Sequence, residues 1–158
     1  MIYFTYFQTV MEYGIIFWGA SVESKRIFQQ QKRIIRIMTG FTSRISCRTL
    51  FRKLEILTVT SQYILSSIRF LSSSLVKYTF NISVHNINTR LQLKLHKPTA
   101  RFTMYQRSAY YNSININIYN KLPDDLAELV SNKKHFLLQL KKYLTYKPFY
   151  SLEEYLNA

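Results

Sequence analysis

Apolar and polar positions recur with a helical period through most of this chain. Between Ser24 and Gly40, Ile27, Phe28, Ile34, Ile35 and Met38 share one side of a helical projection. At about 100° per residue, Lys25, Arg26, Lys32, Arg33 and Arg36 fall on the other side, within roughly 120° of one another. The pattern predicts an amphipathic helix with one face in protein and the other toward a polyanion. Gln31 sits at the centre of the apolar face, so its amide needs partners, expected in a neighbouring loop. Ser21 or Ser24 suits the N-cap and Gly40 the C′ position. Upstream, Met1 to Ala20 is apolar but broken by Thr5, Gln8, Thr9 and Glu12. It predicts a core helix with a wet side at Gln8 and Glu12, and with Tyr13 through Trp18 packed hardest.

Downstream, Ser46 can cap a short helix holding Leu50, Phe51 and Leu54. Thr58 or Thr60 opens a longer one, with Ile64, Ile68, Leu71 and Leu75 on one face and serines and Arg69 on the other. Residues 79 to 107 show no helical period and only weak alternation, which predicts an extended excursion. Asn112 to Asn120 supports two readings. Ile114, Ile116 and Ile118 alternate with asparagines as in a strand, while Tyr111, Ile114, Ile118 and Leu122 share a helical face; helix is slightly preferred. Pro123, with Asp124 and Asp125, suits the first turn of another helix. Asn132 can cap a helix with Phe136, Leu140, Tyr143 and Leu144 inward and Lys134 and Lys141 outward. Ser151 and Glu154 have capping-box spacing. The expected fold is mainly α, an irregular helical bundle with an extended, partly β segment around residues 79–120. It is expected as one domain over 1–158, with N-terminal helices in 1–78 and C-terminal helices in 121–158. Its core would take Trp18, Ile27, Ile34, Met38, Leu54, Ile64, Leu71, Leu122, Phe136 and Leu140.

Composition sharpens this picture. The 158 residues are 47% apolar with only 3 Gly and 3 Pro, too hydrophobic for a disordered chain and poor in turn residues. The formal charge of +14 points to an anionic partner. Cys47 is the single cysteine, so no internal disulfide can form, and an intracellular location is expected. A spanning helix in the first 20 residues is disfavoured by Glu12 near its centre.

Candidate chemistry is sparse. His85, His96 and His135 lack metal-ligand spacing, and no glycine-rich phosphate loop is present. Asp124–Asp125 reads as a helix-dipole pair. Cys47, beside Arg44 and Arg48, reads as a packed helix-start residue. No catalytic constellation, metal or cofactor is expected. The five cations of the 24–40 helix have no anion among them, which favours phosphate contact over internal ion pairing. Phe102, Tyr105, Arg107, Tyr110 and Tyr111 interleave aromatics with cations, a pattern suited to stacking on unpaired bases.

Five segments in order carry a family resemblance. They are Tyr13-Gly14-Ile15-Ile16-Phe17-Trp18-Gly19; Gln31-Lys32-Arg33-Ile34-Ile35-Arg36-Ile37 with Gly40; His85-Asn86-Ile87-Asn88-Thr89-Arg90; Ile118-Tyr119-Asn120-Lys121-Leu122-Pro123; and Phe149-Tyr150-Ser151-Leu152-Glu153-Glu154-Tyr155. Together they resemble the region C-terminal to the polymerase palm in reverse transcriptases of non-LTR (LINE-like, jockey-type) retrotransposons. The resemblance implies thumb and post-thumb structure lying along a template–primer duplex, with Lys25, Arg26, Lys32, Arg33 and Arg36 facing RNA or DNA. The family's Tyr/Phe-x-Asp-Asp catalytic motif is absent here. The implied function is a non-catalytic, sequence-independent nucleic-acid-binding fragment of an RNA-directed DNA polymerase. Two alternatives stand beside it: an independent basic nucleic-acid-binding module, or a membrane-surface protein anchored by residues 1–20.

Overall fold

The computed structural model describes residues 3–41, 45–75, 78–84, 94–97, 99, 101–104 and 113–158, the Ser113 side chain excepted. The protein is mainly helical. A π-helical turn, Tyr3–Gln8, leads into α1 (Thr9–Glu12), followed by α2 (Ile15–Trp18), α3 (Ser24–Thr39), α4 (Cys47–Lys53) and α5 (Val59–Ser73). Then come α6 (Asn81–Val84), α7 (Ser113–Asn120), α8 (Asp124–Ala127), a 3-10 turn (Glu128–Ser131), α9 (Lys133–Tyr146) and α10 (Leu152–Leu156). The chain divides into two compact units, Met1–Ser66 with Leu137–Ala158, and Ser67–Phe136.

The first unit is built around the apolar face of α3. Phe28 and Ile35 are buried together with Tyr3, Met11, Cys47, Leu50, Phe51, Ile56 and Val59. Gln31, also fully buried, has its amide satisfied on both sides. Its Nε2 donates to the Leu57 carbonyl and to the Tyr3 hydroxyl, each at 2.8 Å, and its Oε1 accepts the Val59 N–H at 3.0 Å. The glutamine thus ties α3 to the start of α5, where the helix-start N–H groups otherwise lack partners. Thr58 supplies the cap, accepting the Ser61 N–H at 3.0 Å and donating to the Phe149 carbonyl at 2.6 Å. Gly40 ends α3 at φ 69°, with Phe41 N–H on the Arg36 carbonyl, the six-to-one bond of a Schellman close.

The second unit buries Ile68, Leu71, Leu95, Ile116, Ile118, Leu122, Leu126 and Phe136. Phe80 and Leu95 form an antiparallel bridge. The Asn120 side chain extends it as a substitute strand: its Oδ1 accepts the Leu95 N–H at 2.8 Å and its Nδ2 donates to the Leu95 carbonyl at 2.9 Å. Of the ambiguous 112–120 segment, Ser113–Asn120 is helical, with alternate isoleucines Ile116 and Ile118 both buried. Within the expected extended excursion, Asn81–Val84 forms one helical turn. Residues 85–93 and 105–107 lie outside the described residues.

Several local expectations are corrected. The N-terminal segment is not one helix. Gly14 at φ 61° takes the left-handed conformation and breaks it, turning Tyr13 and Phe17 outward to 86% and 80% exposure. Trp18 is half-buried, donating from Nε1 to the Tyr13 carbonyl at 2.9 Å. Met38 lies about 20° from Gln31 in helical projection, yet it is exposed, because it falls in the last turn of α3 just before Gly40 ends the helix. Neither Ser21 nor Ser24 caps α3 with its side chain; Ser24 Oγ donates to the Ser21 carbonyl instead. Ser67, on the serine-rich side of α5, is fully buried.

Candidate nucleic-acid interface

The five predicted cations of α3 separate into two groups. Lys25, Arg26 and Arg33 are exposed. Arg26 pairs with Glu23 at 3.1 Å, an anion just outside the helix. Both partners are well exposed, so the pair is worth little and a phosphate can compete for the arginine. Lys32 and Arg36 are half-buried and turned toward protein. Lys32 Nζ stands 4.8 Å from the Phe28 ring centroid and 5.7 Å from that of Tyr150. Arg36 donates to the Ile45 carbonyl at 3.4 Å, while its Nε is buried with no hydrogen bond.

Tyr150 organises this side of the helix. Its ring meets Phe28 edge-on at 4.9 Å, and the Arg48 guanidinium lies 4.4 Å from its centroid. Arg48 is held in turn by Glu154 at 2.7 Å. Burial raises the Tyr150 hydroxyl above its ordinary range; Cys47 adds to the shift, and Arg48 and Arg36 oppose it. Glu154 shows the reverse balance. Burial disfavours its charge, but the Tyr150 N–H and Arg48 outweigh that and hold the carboxyl below the usual range. These contacts place Lys32 in an aromatic–cation cluster with Arg48 and turn Arg36 toward the Ile45 carbonyl, leaving Lys25, Arg26 and Arg33 as the outward surface.

Other candidates are placed as follows. Cys47 is buried at the start of α4, packed within the core cluster of the first unit. Asp124 and Asp125 are exposed in the first turn of α8, beside its positive end. His96 Nδ1 lies 3.3 Å from Asn81 Oδ1, and His135 is exposed. Among the described residues no group of three or more His, Cys, Asp or Glu side chains could hold a metal ion. Phe102 is 69% exposed; Tyr105, Arg107, Tyr110, Tyr111 and His85 lie outside the described residues. Among the described residues no helix is long and apolar enough to cross a membrane.

One basic surface goes beyond the sequence expectations, which placed only Lys141 of its residues outward. An open groove of about 470 Å³ lies between the end of α4 and the outer face of α9, lined by Arg52, Glu55, Leu138, Lys141, Lys142 and Tyr146. The α9 residues repeat at i, i+3, i+4 and i+8, a stripe opposite the buried Phe136, Leu140 and Leu144. That spacing was the available signal. The contribution of Arg52 and Glu55 depends on folding and could not be read from α9 alone. Compared with family models, curated proteins and solved structures, the chain gives no match.

Proposed function

We propose that this chain binds nucleic acid without catalysing its synthesis, through sequence-independent contacts of α3 with phosphates. In this reading it corresponds to the post-palm region of a non-LTR retrotransposon reverse transcriptase, as the ordered motifs suggest, and the partner is an RNA–DNA duplex. The observation that carries the proposal is the outward face of α3. Lys25 and Arg33 have no ion pair among the described residues, and Arg26 has only an exposed one. A +14 chain adds long-range attraction to any polyanion. Phosphate contacts position a protein but carry no base information, so sequence preference should be slight.

The test is duplex affinity as a function of salt. Each neutralised phosphate contributes a slope of about 0.9 log units per log unit of salt. Lys25→Gln, Arg26→Gln and Arg33→Gln together should flatten the slope by about two to three contacts. The control is Lys53→Gln, Lys121→Gln and Lys134→Gln, three exposed lysines elsewhere. Equal loss in both triples would reduce the effect to general charge and remove the case for α3.

A further inference from the structure

The groove between α4 and α9 combines features that a duplex-phosphate surface does not need. Tyr146 is 77% exposed, an aromatic ring offered to solvent. The Arg52 guanidinium lies 5.5 Å from its centroid, covering part of the ring and leaving the rest open. Lys141 and Lys142 stand one turn back on the same helix face, and neither they nor Arg52 has an ion pair among the described residues. Leu138, 52% exposed, adds apolar surface. A volume of about 470 Å³ lies within the usual range for small-ligand clefts, roughly 300–1,000 Å³.

Glu55 completes the lining. It is the only non-glycine residue with positive φ among those described, at 53°. It occupies the C′ position of α4, where its N–H meets the Arg52 carbonyl and Ile56 N–H meets the Phe51 carbonyl. Glycine fits this position without strain. Glutamate instead places a carboxylate at the edge of a groove rich in donors, where it can accept from a base N–H such as that at N3 of an unpaired thymine.

From this arrangement we infer that the groove is a binding site for an unpaired nucleotide within a single strand. The base stacks on Tyr146 against Leu138, and the flanking phosphates meet Lys141, Lys142 and Arg52. Stacking on an aromatic ring requires a free base face, which a duplex does not offer except at its ends. The site deepens the nucleic-acid reading but uses residues separate from the outward face of α3.

The experiment measures fluorescence anisotropy of two probes with the full chain: a labelled oligothymidylate of about ten nucleotides and an RNA–DNA duplex with closed hairpin ends. Tyr146→Ala should weaken oligothymidylate binding about tenfold, a loss typical of one base–aromatic stack, and leave duplex binding unchanged. Tyr146→Phe should retain affinity, because it keeps the ring. Lys141→Gln with Lys142→Gln should weaken the oligonucleotide and lower its salt slope. Thermal melting confirms that these exposed changes leave the fold intact. The inference is overturned if oligothymidylate does not bind, if Tyr146→Ala has no effect, or if it weakens both probes equally. Tyr146-dependent binding without duplex binding would uphold this site and remove the α3 reading. Duplex binding with no Tyr146 effect would do the opposite.

Discussion

Gln31 shows what one residue can hold. A polar side chain in the middle of an apolar face is costly unless its hydrogen bonds are made. Here three are made, to Tyr3, Leu57 and Val59. Gln31→Leu keeps the shape but strands the Leu57 carbonyl and Val59 N–H. Chemical denaturation should show a loss of about 2–4 kcal/mol, since each orphaned buried group costs about 1–3. Tyr3 gives a pH signature from the same site. Burial, opposed by the Gln31 hydrogen bond and reinforced by Glu12, pushes its hydroxyl up to about 12. The unfolded tyrosine ionises first, near 10. The stabilisation is therefore complete below about pH 10 and is lost as pH rises toward 12. Tyr3→Phe should blunt that alkaline loss, measured as melting temperature against pH. Gln31's need for partners was legible because its position on the apolar face follows from spacing alone. Their identities were not, because Tyr3 and Val59 reach it only through tertiary packing.

Elements carry the larger departures from the sequence pattern. The period of α3 located its extent and Gly40 its C-terminal stop, whereas the expected serine N-cap is not made. The period could not separate Lys32 and Arg36 from Lys25 and Arg33, because that distinction is made outside the helix, by the Tyr150 ring for Lys32 and by the Ile45 carbonyl for Arg36. The N-terminal hydrophobic run misled for another reason. Its composition suits a buried helix, but Gly14 reverses the backbone and turns Tyr13 and Phe17 to solvent. Gly19 is required for space instead: a Cβ there would lie 2.3 Å from the Tyr63 ring and 2.6 Å from the Ile15 carbonyl. Gly19→Ala should cost about 1–3 kcal/mol in urea denaturation.

The C-terminal helix α10 was legible as a capping box, and Ser151 Oγ does accept the Glu154 N–H at 3.1 Å. The return bond differs, since Glu154 accepts from the Tyr150 N–H at 2.8 Å, one residue before the cap. Its carboxyl is held below the usual range, so its charge stabilises the fold above the unfolded carboxylate range. That contribution is lost as pH falls through the lower folded value. Glu154→Gln should lower stability by about 0.5–1 kcal/mol at neutral pH, the scale of a partly exposed ion pair. The difference from the parent should vanish in acid.

For the whole molecule, charge is the property most fully present in the sequence, and its uneven distribution has a chemical consequence. Lys and Arg total 22 against 8 Asp and Glu, and the first cation is Lys25. Nucleotidyl transfer by a two-metal mechanism needs several carboxylates converging on ions about 4 Å apart. Five of the eight carboxylates are taken up elsewhere. Glu12 accepts from Gln8 at 2.7 Å, Glu23 meets Arg26, and Glu154 meets Arg48. Asp124 and Asp125 lie beside the positive end of α8. On the proposed reading, this charge balance favours a polyanion over a pair of divalent ions. The expected outcome is duplex binding that weakens steeply with salt, combined with no primer extension on RNA or DNA templates in magnesium or manganese. Extension above that of an Asp124→Asn, Asp125→Asn control would overturn the non-catalytic reading and identify those two aspartates as the metal ligands. Extension equal in both would overturn it as well and direct the search for ligands to the remaining glutamates. No extension, with salt-sensitive binding intact, is the behaviour that the distribution of charge predicts.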